Sequence, residues 1–162
     1  MSLAKPLDHP EYRRHRHWMA RALELADIAG EAGDVPVGAL LVDDNDQLVA
    51  EGYNQREQQQ DPTGHAEVVV LRRAGRARQR WRLTDCTLYV TLEPCPMCSG
   101  AIILARVGTL VYGADDLKTG AARSVLNLFD GPASNHSPQV VGGILEADCR
   151  QQLQRWFAQR RQ

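Results

Sequence analysis

Two short motifs constrain this chain more than any other part of its sequence. His65-Ala66-Glu67 and Pro94-Cys95-Pro96-Met97-Cys98 supply one imidazole and two thiols, which are donor types that Zn²⁺ prefers. Three protein ligands leave the fourth tetrahedral position open to water, as in catalytic zinc sites. The fold must therefore bring two segments that are distant in the sequence to one metal ion.

Glu67 lies two positions after His65, and its carboxyl group gives the site a proton carrier. Zinc lowers the pKa of a water ligand to about 7, so hydroxide is available at neutral pH. We expect Glu67 to accept the proton, to pass it to a ring nitrogen of a bound base and then to protonate the leaving amine. His-x-Glu followed by Pro-Cys-x-x-Cys is the signature of zinc-dependent nucleobase deaminases, so the motifs predict hydrolytic deamination.

A purely structural zinc site would need a fourth ligand, for which His136, Cys86 and Cys149 are the candidates. Cys149 falls on the apolar stripe of the last predicted helix, and Cys86 begins a predicted strand. Both cysteines are therefore expected to be small buried hydrophobic residues. A structural site also has no use for a carboxylate at the position of Glu67, which favours the catalytic interpretation.

Composition sets the size of the fold and the class of protein. With 162 residues, 43% of them apolar, the chain is expected to form one zinc-dependent deaminase domain over residues 1–162, with residues 1–10 as a flexible N-terminal segment. The sequence shows neither a secretory signal nor a membrane-spanning apolar run, so we expect a cytoplasmic protein whose cysteines bind metal rather than form disulfides. A net charge of −1 argues against indiscriminate binding of nucleic acid.

Hydrophobic periodicity and turn residues predict alternating helices and strands. Strands are expected over residues 35–42, 48–53, 86–91, 107–112 and 139–141. Helices are expected over residues 11–30, 66–74, 97–106, 123–129 and 146–161. This order predicts an α/β fold, a three-layer α/β/α sandwich whose mixed, five-stranded central sheet gains an antiparallel pair from the first hairpin.

The ligand motifs fall at the starts of two of these helices. Asp61-Pro62-Thr63-Gly64 is a turn sequence directly before His65, and Pro96 is suited to the first position of a helix. Residues two apart on a regular helix point in different directions, so His65 and Glu67 share a site only near a helix start. Two helix N-termini would then meet at the metal, and their dipoles are expected to favour the thiolate form of Cys98 in particular.

Several further segments extend the pattern beyond the metal motifs. They are Val35-Pro36-Val37-Gly38-Ala39, Gly52-Tyr53-Asn54, Asp61-Pro62-Thr63, residues 87–98, Lys118-Thr119-Gly120-Ala121-Ala122 and Asn135-His136. In these segments and in their order, the chain resembles the bacterial TadA family, the tRNA-specific adenosine deaminases with the cytidine-deaminase fold. The resemblance covers roughly residues 11–161.

The resemblance implies a reaction and a set of metal ligands. The reaction is hydrolytic conversion of adenosine to inosine at the wobble position of an arginine tRNA anticodon, carried out by a homodimer with one zinc ion per subunit. The implied ligands are His65, Cys95 and Cys98, and the implied proton shuttle is Glu67.

The same resemblance also implies contacts with the substrate. Asn54 is expected to contact the flipped nucleotide, and residues 114–118 are expected to lie near the RNA. Ala114, Asp116 and Lys118 are accordingly predicted to be substrate contacts. Lys118, in a glycine-containing loop, is the best single candidate for a contact with phosphate.

Other conspicuous residues have ordinary structural explanations as well. Six arginines crowd the segment after the first ligand motif, where a solvated face is the usual explanation and RNA contact is the alternative: Arg72, Arg73, Arg76, Arg78, Arg80 and Arg82. Trp156 and Phe157 are expected to pack in the core, and the alternative is that one of them borders the substrate channel and stacks on an unpaired base. Glu93, just before the Pro-Cys pair, is expected to orient the local backbone.

Two other functions stay open at this point. A zinc deaminase of a free base or nucleoside, such as cytosine, guanine or cytidine, would share every catalytic residue. The loop over residues 118–122 and the arginines of the last helix favour RNA instead. A noncatalytic, zinc-dependent RNA-binding module would retain the fold, but an intact Glu67 speaks against it.

Overall fold

A mixed five-stranded sheet forms the centre of the molecule, in a computed structural model that describes residues 9–161. The strands are β1 (Gly38–Asp43), β2 (Leu48–Tyr53), β3 (Cys86–Leu92), β4 (Thr109–Ala114) and β5 (Gln139–Val141). Their order is β2-β1-β3-β4-β5; β1 is antiparallel to both of its neighbours, whereas β3, β4 and β5 run parallel. The mixed sheet expected from the sequence is thus confirmed.

Helices lie on both faces of this sheet. They are α1 (Pro10–Glu31), α2 (Arg56–Gln59), α3 (Ala66–Arg78), α4 (Pro96–Leu104) and α5 (Glu146–Arg160). Because side chains alternate along a strand, neighbouring residues of β1 serve different cores. Leu40 belongs to the core that Met19 of α1 shares with α5, and Leu41 belongs to the core that Val70 of α3 shares with α4. The expected three-layer sandwich is confirmed.

Three helical regions differ from the expectations. The structure contains the four-residue helix α2, which was not predicted from the sequence. Helix α3 continues past Gly75 to Arg78, because one glycine costs a helix only about 1 kcal/mol and the left-handed residue Gln79 ends it instead. The helix expected over residues 123–129 is wrong: turns lead into a short 3-10 helix at Leu128–Asp130.

The chain ends carry two further findings. The expected N-terminal segment, residues 1–10, lies outside the described residues except for His9 and Pro10. His9 caps α1 by accepting a hydrogen bond from the Glu11 N–H, and Pro10 is the first helical residue. No helix within residues 9–161 is long and apolar enough to cross a membrane.

Candidate active site

The start of α3 carries His65 and Glu67. Asn54, just after β2, accepts a hydrogen bond from the Ala66 N–H at 2.9 Å and donates one to the Val35 carbonyl at 3.0 Å. The Asn54 side chain therefore satisfies an N–H group at the beginning of α3 and ties it to the segment that leads into β1. His65 precedes the helix with an extended backbone, so its ring and the Glu67 side chain line the same cavity.

The start of α4 supplies the two cysteines. Cys95 precedes the helix with an extended backbone, Pro96 is the first helical residue, and Cys98 is buried in the first turn. The Nδ1 atom of His65 lies 3.6 Å from the Cys95 sulfur and 3.5 Å from the Cys98 sulfur. A tetrahedron with ordinary zinc bond lengths separates a nitrogen from a sulfur by about 3.6 Å. The three donors therefore fit one Zn²⁺ ion.

No further His, Cys, Asp or Glu within residues 9–161 joins this group. The Nε2 atom of His136 instead lies 2.7 Å from the Val107 carbonyl. Cys86 and Cys149 are buried in the two separate cores, as expected for small hydrophobic residues. A structural zinc site would thus lack its fourth protein ligand in the described part of the chain.

Close polar contacts link the three donor side chains to one another. The Cys98 thiol is hydrogen-bonded to Cys95, which lowers the pKa of Cys95 to about 4 and raises the pKa of Cys98. The hydrogen bond with Cys95 also raises the pKa of His65. The hydrogen bond between the two cysteines thus favours the thiolate form of Cys95.

Glu67 is a buried carboxyl group, with 4% of its surface exposed. Burial is the main reason that the pKa of Glu67 rises to about 6, and the negative charge of Cys95 raises it further. A carboxyl group that titrates close to neutrality can accept a proton at one step and donate it at the next. Glu67 thus has the protonation chemistry that the expected shuttle requires.

A cavity of about 500 Å³ opens beside Glu67, beyond the carboxyl ends of the parallel strands β3 and β4. Clefts in this position commonly bind ligands in open α/β sheets. Two exposed apolar side chains line it, Leu117 after β4 and Phe157 on α5, with exposed fractions of 81% and 41%. The cavity has the size of a small-molecule site and is open to solvent.

Glu93, directly after β3, organises the loop that residues 115–124 form (the 115–124 loop). Its buried carboxylate accepts hydrogen bonds from the Asp116, Ala122, Arg123 and Ser124 N–H groups and from the Ser124 hydroxyl. These N–H groups are therefore turned toward Glu93, which explains why no helix begins at residue 123. The expectation that Glu93 orients the local backbone is confirmed.

The residues expected to contact substrate occupy different environments. Asn54, Asp116 and Lys118 line the cavity, whereas Ala114 is buried at the end of β4 and its carbonyl accepts the Glu93 N–H. The Asp116 carboxylate accepts hydrogen bonds from the N–H groups of Lys118 and Thr119, so it also shapes the loop that carries them. Lys118 is exposed.

Three cavity residues were not expected to contribute to the site. They are Arg56 at the start of α2, and Leu153 and Gln154 on α5. Phe157 also lines the cavity, so core packing is wrong for this residue and the alternative position, at the border of a cavity, is the one observed. Trp156 is half-buried and donates to the Gly30 carbonyl. The spacing of Leu153 and Phe157, four residues apart on one helix face, was the available signal for a shared surface. No comparable signal existed for Arg56.

The arginine cluster on and after α3 is largely engaged in contacts within the protein. Arg78 and Arg80 pair with Asp85, Arg72 lies 3.7 Å from Asp61, Arg73 donates to the Glu51 carbonyl, and Arg82 stacks on Trp81. None of these arginines lines the cavity. Their contacts agree with a solvated outer face of the sandwich.

Comparison with known proteins gives three informative similarities. Residues 13–156 match the family model described as MafB19-like deaminase. The tRNA-specific adenosine deaminase of Haemophilus influenzae is 49% identical over 144 residues, which cover 89% of this chain and 83% of that protein. A solved structure from a study of A-to-I editing by tRNA:A34 deaminases at the wobble position of transfer RNA matches with a TM-score of 0.82 and 42% identity. That match covers 84% of this chain and 98% of the other.

A guanine deaminase from Bacillus subtilis is also similar in structure. Its TM-score is 0.60 at 37% identity, and the match covers 77% of this chain and 82% of that chain. The same architecture thus occurs in deaminases of different substrates.

Proposed function

Because the chain belongs to the family of tRNA-specific adenosine deaminases, we propose that it converts adenosine to inosine at the wobble position of a tRNA anticodon, with an arginine tRNA as the expected substrate. The observation that carries the proposal is the His65, Cys95 and Cys98 group beside the buried carboxyl of Glu67, at the edge of an open cavity. This arrangement supports hydrolytic attack on a base that enters from solvent.

The proposed cofactor is one zinc ion per subunit, held by His65, Cys95 and Cys98. When bound, Zn²⁺ lowers the pKa of water to about 7 and so supplies hydroxide at neutral pH. Glu67 would accept the proton that the water loses and deliver it to the ring nitrogen next to C6 of adenine, which makes C6 electrophilic toward hydroxide. After the new C–O bond forms, Glu67 would take the proton of the C6 hydroxyl group and donate it to the amino group, so that the C6–N bond breaks, ammonia departs and C6 keeps a carbonyl oxygen. Water and adenosine thus give inosine and ammonia.

The rim of the cavity suits an unpaired base better than a base within a duplex. Leu117 and Phe157 offer apolar surface on which a base can stack, and Lys118 offers a cation to the RNA backbone. Bases in an anticodon loop are extruded at less cost than paired ones. A tRNA substrate also favours a cytoplasmic location, which stays a prediction.

We further propose that the protein is a homodimer. The outer face of α3 and α4 carries a groove with an apolar floor that includes Val68, Leu71 and Ala101. The exposed side chains of Trp81 and Leu104 flank it, and two members of the arginine cluster, Arg72 and Arg76, line its edge. Contiguous exposed apolar surface of this kind commonly marks a protein interface. Sedimentation of the zinc-loaded protein measures whether it is a dimer.

The decisive experiment compares substrates with the zinc-loaded protein. We expect inosine to form in an arginine-tRNA anticodon stem-loop, with much slower turnover of the same hairpin carrying cytidine and of free nucleosides. Faster turnover of guanine or of a free nucleoside would overturn the proposal. The protein would then be a deaminase of a free base or nucleoside, an alternative that the structural similarity with a guanine deaminase supports. Binding of the hairpin without any ammonia release would instead favour a noncatalytic RNA-binding module.

A second measurement addresses the cofactor. Cys95→Ser removes one of the three ligands, so we expect a clear decrease in bound zinc by elemental analysis. Full zinc content in this variant would refute the ligand assignment.

A further inference from the structure

Arg56 places a positive charge in the wall of the catalytic cavity, and the proposed chemistry makes no use of it. It is the first residue of α2, and it lines the cavity together with His65 and Glu67. The reaction needs a metal, a proton carrier and an uncharged base. A guanidinium in this position therefore calls for a different ligand group.

A buried acid holds the inner part of the Arg56 side chain. The Asp34 carboxylate is 2% exposed, and it accepts hydrogen bonds from the Val35 N–H at 2.9 Å and the Glu57 N–H at 3.0 Å. Its Oδ1 atom lies 3.5 Å from Nε of Arg56. The carboxylate is fixed by the backbone on both sides, and it attracts the Arg56 guanidinium through charge, since Nε of Arg56 makes an ion pair with it but no hydrogen bond.

The outer part of the guanidinium is left for an incoming ligand. The Arg56 side chain is 39% exposed, and within residues 9–161 its terminal nitrogens have no hydrogen-bond partner or ion pair. Arginine presents a planar set of donors that matches the oxygens of a phosphate. Adenine and ribose are uncharged at neutral pH, so phosphate is the anionic group that a nucleic acid can bring to this cavity.

A second cation approaches the cavity from another element. Lys118 lies in the 115–124 loop, which Glu93 orders, whereas Arg56 lies in α2 and is ordered by Asp34. The two cations are therefore positioned independently. A nucleotide within a strand has a phosphate on each side of its ribose, and two separate cations suit such a ligand better than they suit a free base.

We propose that Arg56 binds a backbone phosphodiester of the RNA next to the extruded adenosine, and that it favours adenosine within a strand over free adenosine. This proposal rests on the proposed function, since it assumes an RNA substrate. Asp34 has the role of a positioning residue, because it acts through Arg56 and does not itself line the cavity.

The test measures kcat/KM of zinc-loaded wild type and Arg56→Gln on anticodon hairpins. In one set of hairpins, a single linkage beside the target adenosine is a neutral methylphosphonate, and the matched hairpin has an ordinary phosphodiester. We expect the neutral linkage on one side of the target to slow the wild type about tenfold and to have little effect on Arg56→Gln, which has already lost the contact. Equal penalties in both proteins at every linkage would overturn the proposal.

Salt dependence gives a second readout that a purely structural role would not change. Loss of one contact with a single-stranded phosphate lowers the slope of log kcat/KM against log salt by about 0.7. We expect this decrease in Arg56→Gln and an unchanged slope in Arg56→Lys, which keeps the charge. A slope in Arg56→Gln equal to that of the wild type would contradict the proposal.

Arg21→Gln is the matched control. Arg21 has the same exposed fraction, 39%, and also pairs with carboxylates, but it does not line the cavity. We expect Arg21→Gln to keep both the wild-type penalties and the wild-type slope. The wild-type measurement on hairpins separates this proposal from the proposed function. If the wild type deaminates no hairpin but turns over adenosine or its monophosphate, the proposed function itself is overturned.

Discussion

Two buried glutamates, Glu67 and Glu93, each lie two residues from a candidate metal ligand in the sequence. Their surroundings shift their pKa values in opposite directions. Glu67 is 4% exposed and Glu93 is 2% exposed. Burial raises the pKa of Glu67 to about 6. Burial would raise the pKa of Glu93 as well, but hydrogen bonds from Ser124 and neighbouring backbone N–H groups lower it overall. Burial dominates at Glu67, whereas the hydrogen-bond donors around Glu93 outweigh its burial.

This difference assigns the two carboxyl groups to different tasks. Glu93 stays ionised and holds the 115–124 loop, because protonation would break several hydrogen bonds at once. Glu67 can change its protonation state because few donors stabilise its anion. The proposed catalytic carboxyl group and the structural one thus differ in the donors that surround them, and mutation of each tests this difference.

The largest expected effect is on catalysis at Glu67. Glu67→Gln keeps the shape of the side chain but cannot carry a proton, so kcat on the hairpin should fall about a thousandfold. Zinc content should remain that of the wild type. Ammonia release measures the turnover, and elemental analysis measures the zinc content. Turnover near the wild-type rate would contradict a role of Glu67 in proton transfer.

The next largest effect concerns the stability provided by Glu93. In Glu93→Gln, one carboxylate oxygen is replaced by an NH₂ group, which cannot accept a hydrogen bond, and the remaining amide oxygen is a weaker acceptor. We therefore expect the free energy of unfolding to decrease by about 3 kcal/mol. Urea unfolding measures this change. The surface substitution Glu24→Gln is the control and should cost less than about 1 kcal/mol, because its pair with Arg21 is solvent-exposed. Equal losses in the two variants would contradict the role of Glu93.

In the metal-stripped protein, the Glu67→Gln substitution should increase the free energy of unfolding, whereas Glu93→Gln decreases it. A folded-state pKa raised from 4.5 to about 6 means that the wild type loses stability as pH rises through this window. Metal-stripped Glu67→Gln avoids that loss, so at pH 7 it should be more stable than metal-stripped wild type by about 2 kcal/mol. The two proteins should converge below pH 4.5. Thermal unfolding across this pH range checks the prediction, and a less stable variant at pH 7 would contradict it.

The smallest expected effect separates the donors around Glu93. Ser124→Ala removes the hydroxyl donor but leaves the backbone N–H groups in place, so the cost should be about 1 kcal/mol. Urea unfolding beside Glu93→Gln provides the comparison. A loss as large as that of Glu93→Gln would mean that one hydroxyl, rather than the combined donors, holds the carboxylate.

The sequence predicted well wherever a local pattern carries the information. Alternation and periodicity placed the five strands and the long helices, and turn residues placed His65 and Cys95 at helix starts. It failed at residues 123–129, where helical propensity competes with a carboxylate that is close only in the folded chain. The prediction that Phe157 packs in the core failed for a related reason. An apolar residue on a helix does not indicate whether its face of the helix packs against the core or lines a cavity.

By itself, the sequence determined which metal-donor types are present, that a carboxyl group lies two residues from one of them, and the layered fold that joins them. The reason is that ligand identity, helix starts and strand alternation depend on residues near one another in the chain. Only the tertiary structure decided which carboxylate is free to titrate, which cations reach the cavity and which apolar side chains form its rim. Those properties depend on hydrogen-bond donors and burial supplied by distant segments, as Asp34 does for Arg56 and the 115–124 loop does for Glu93.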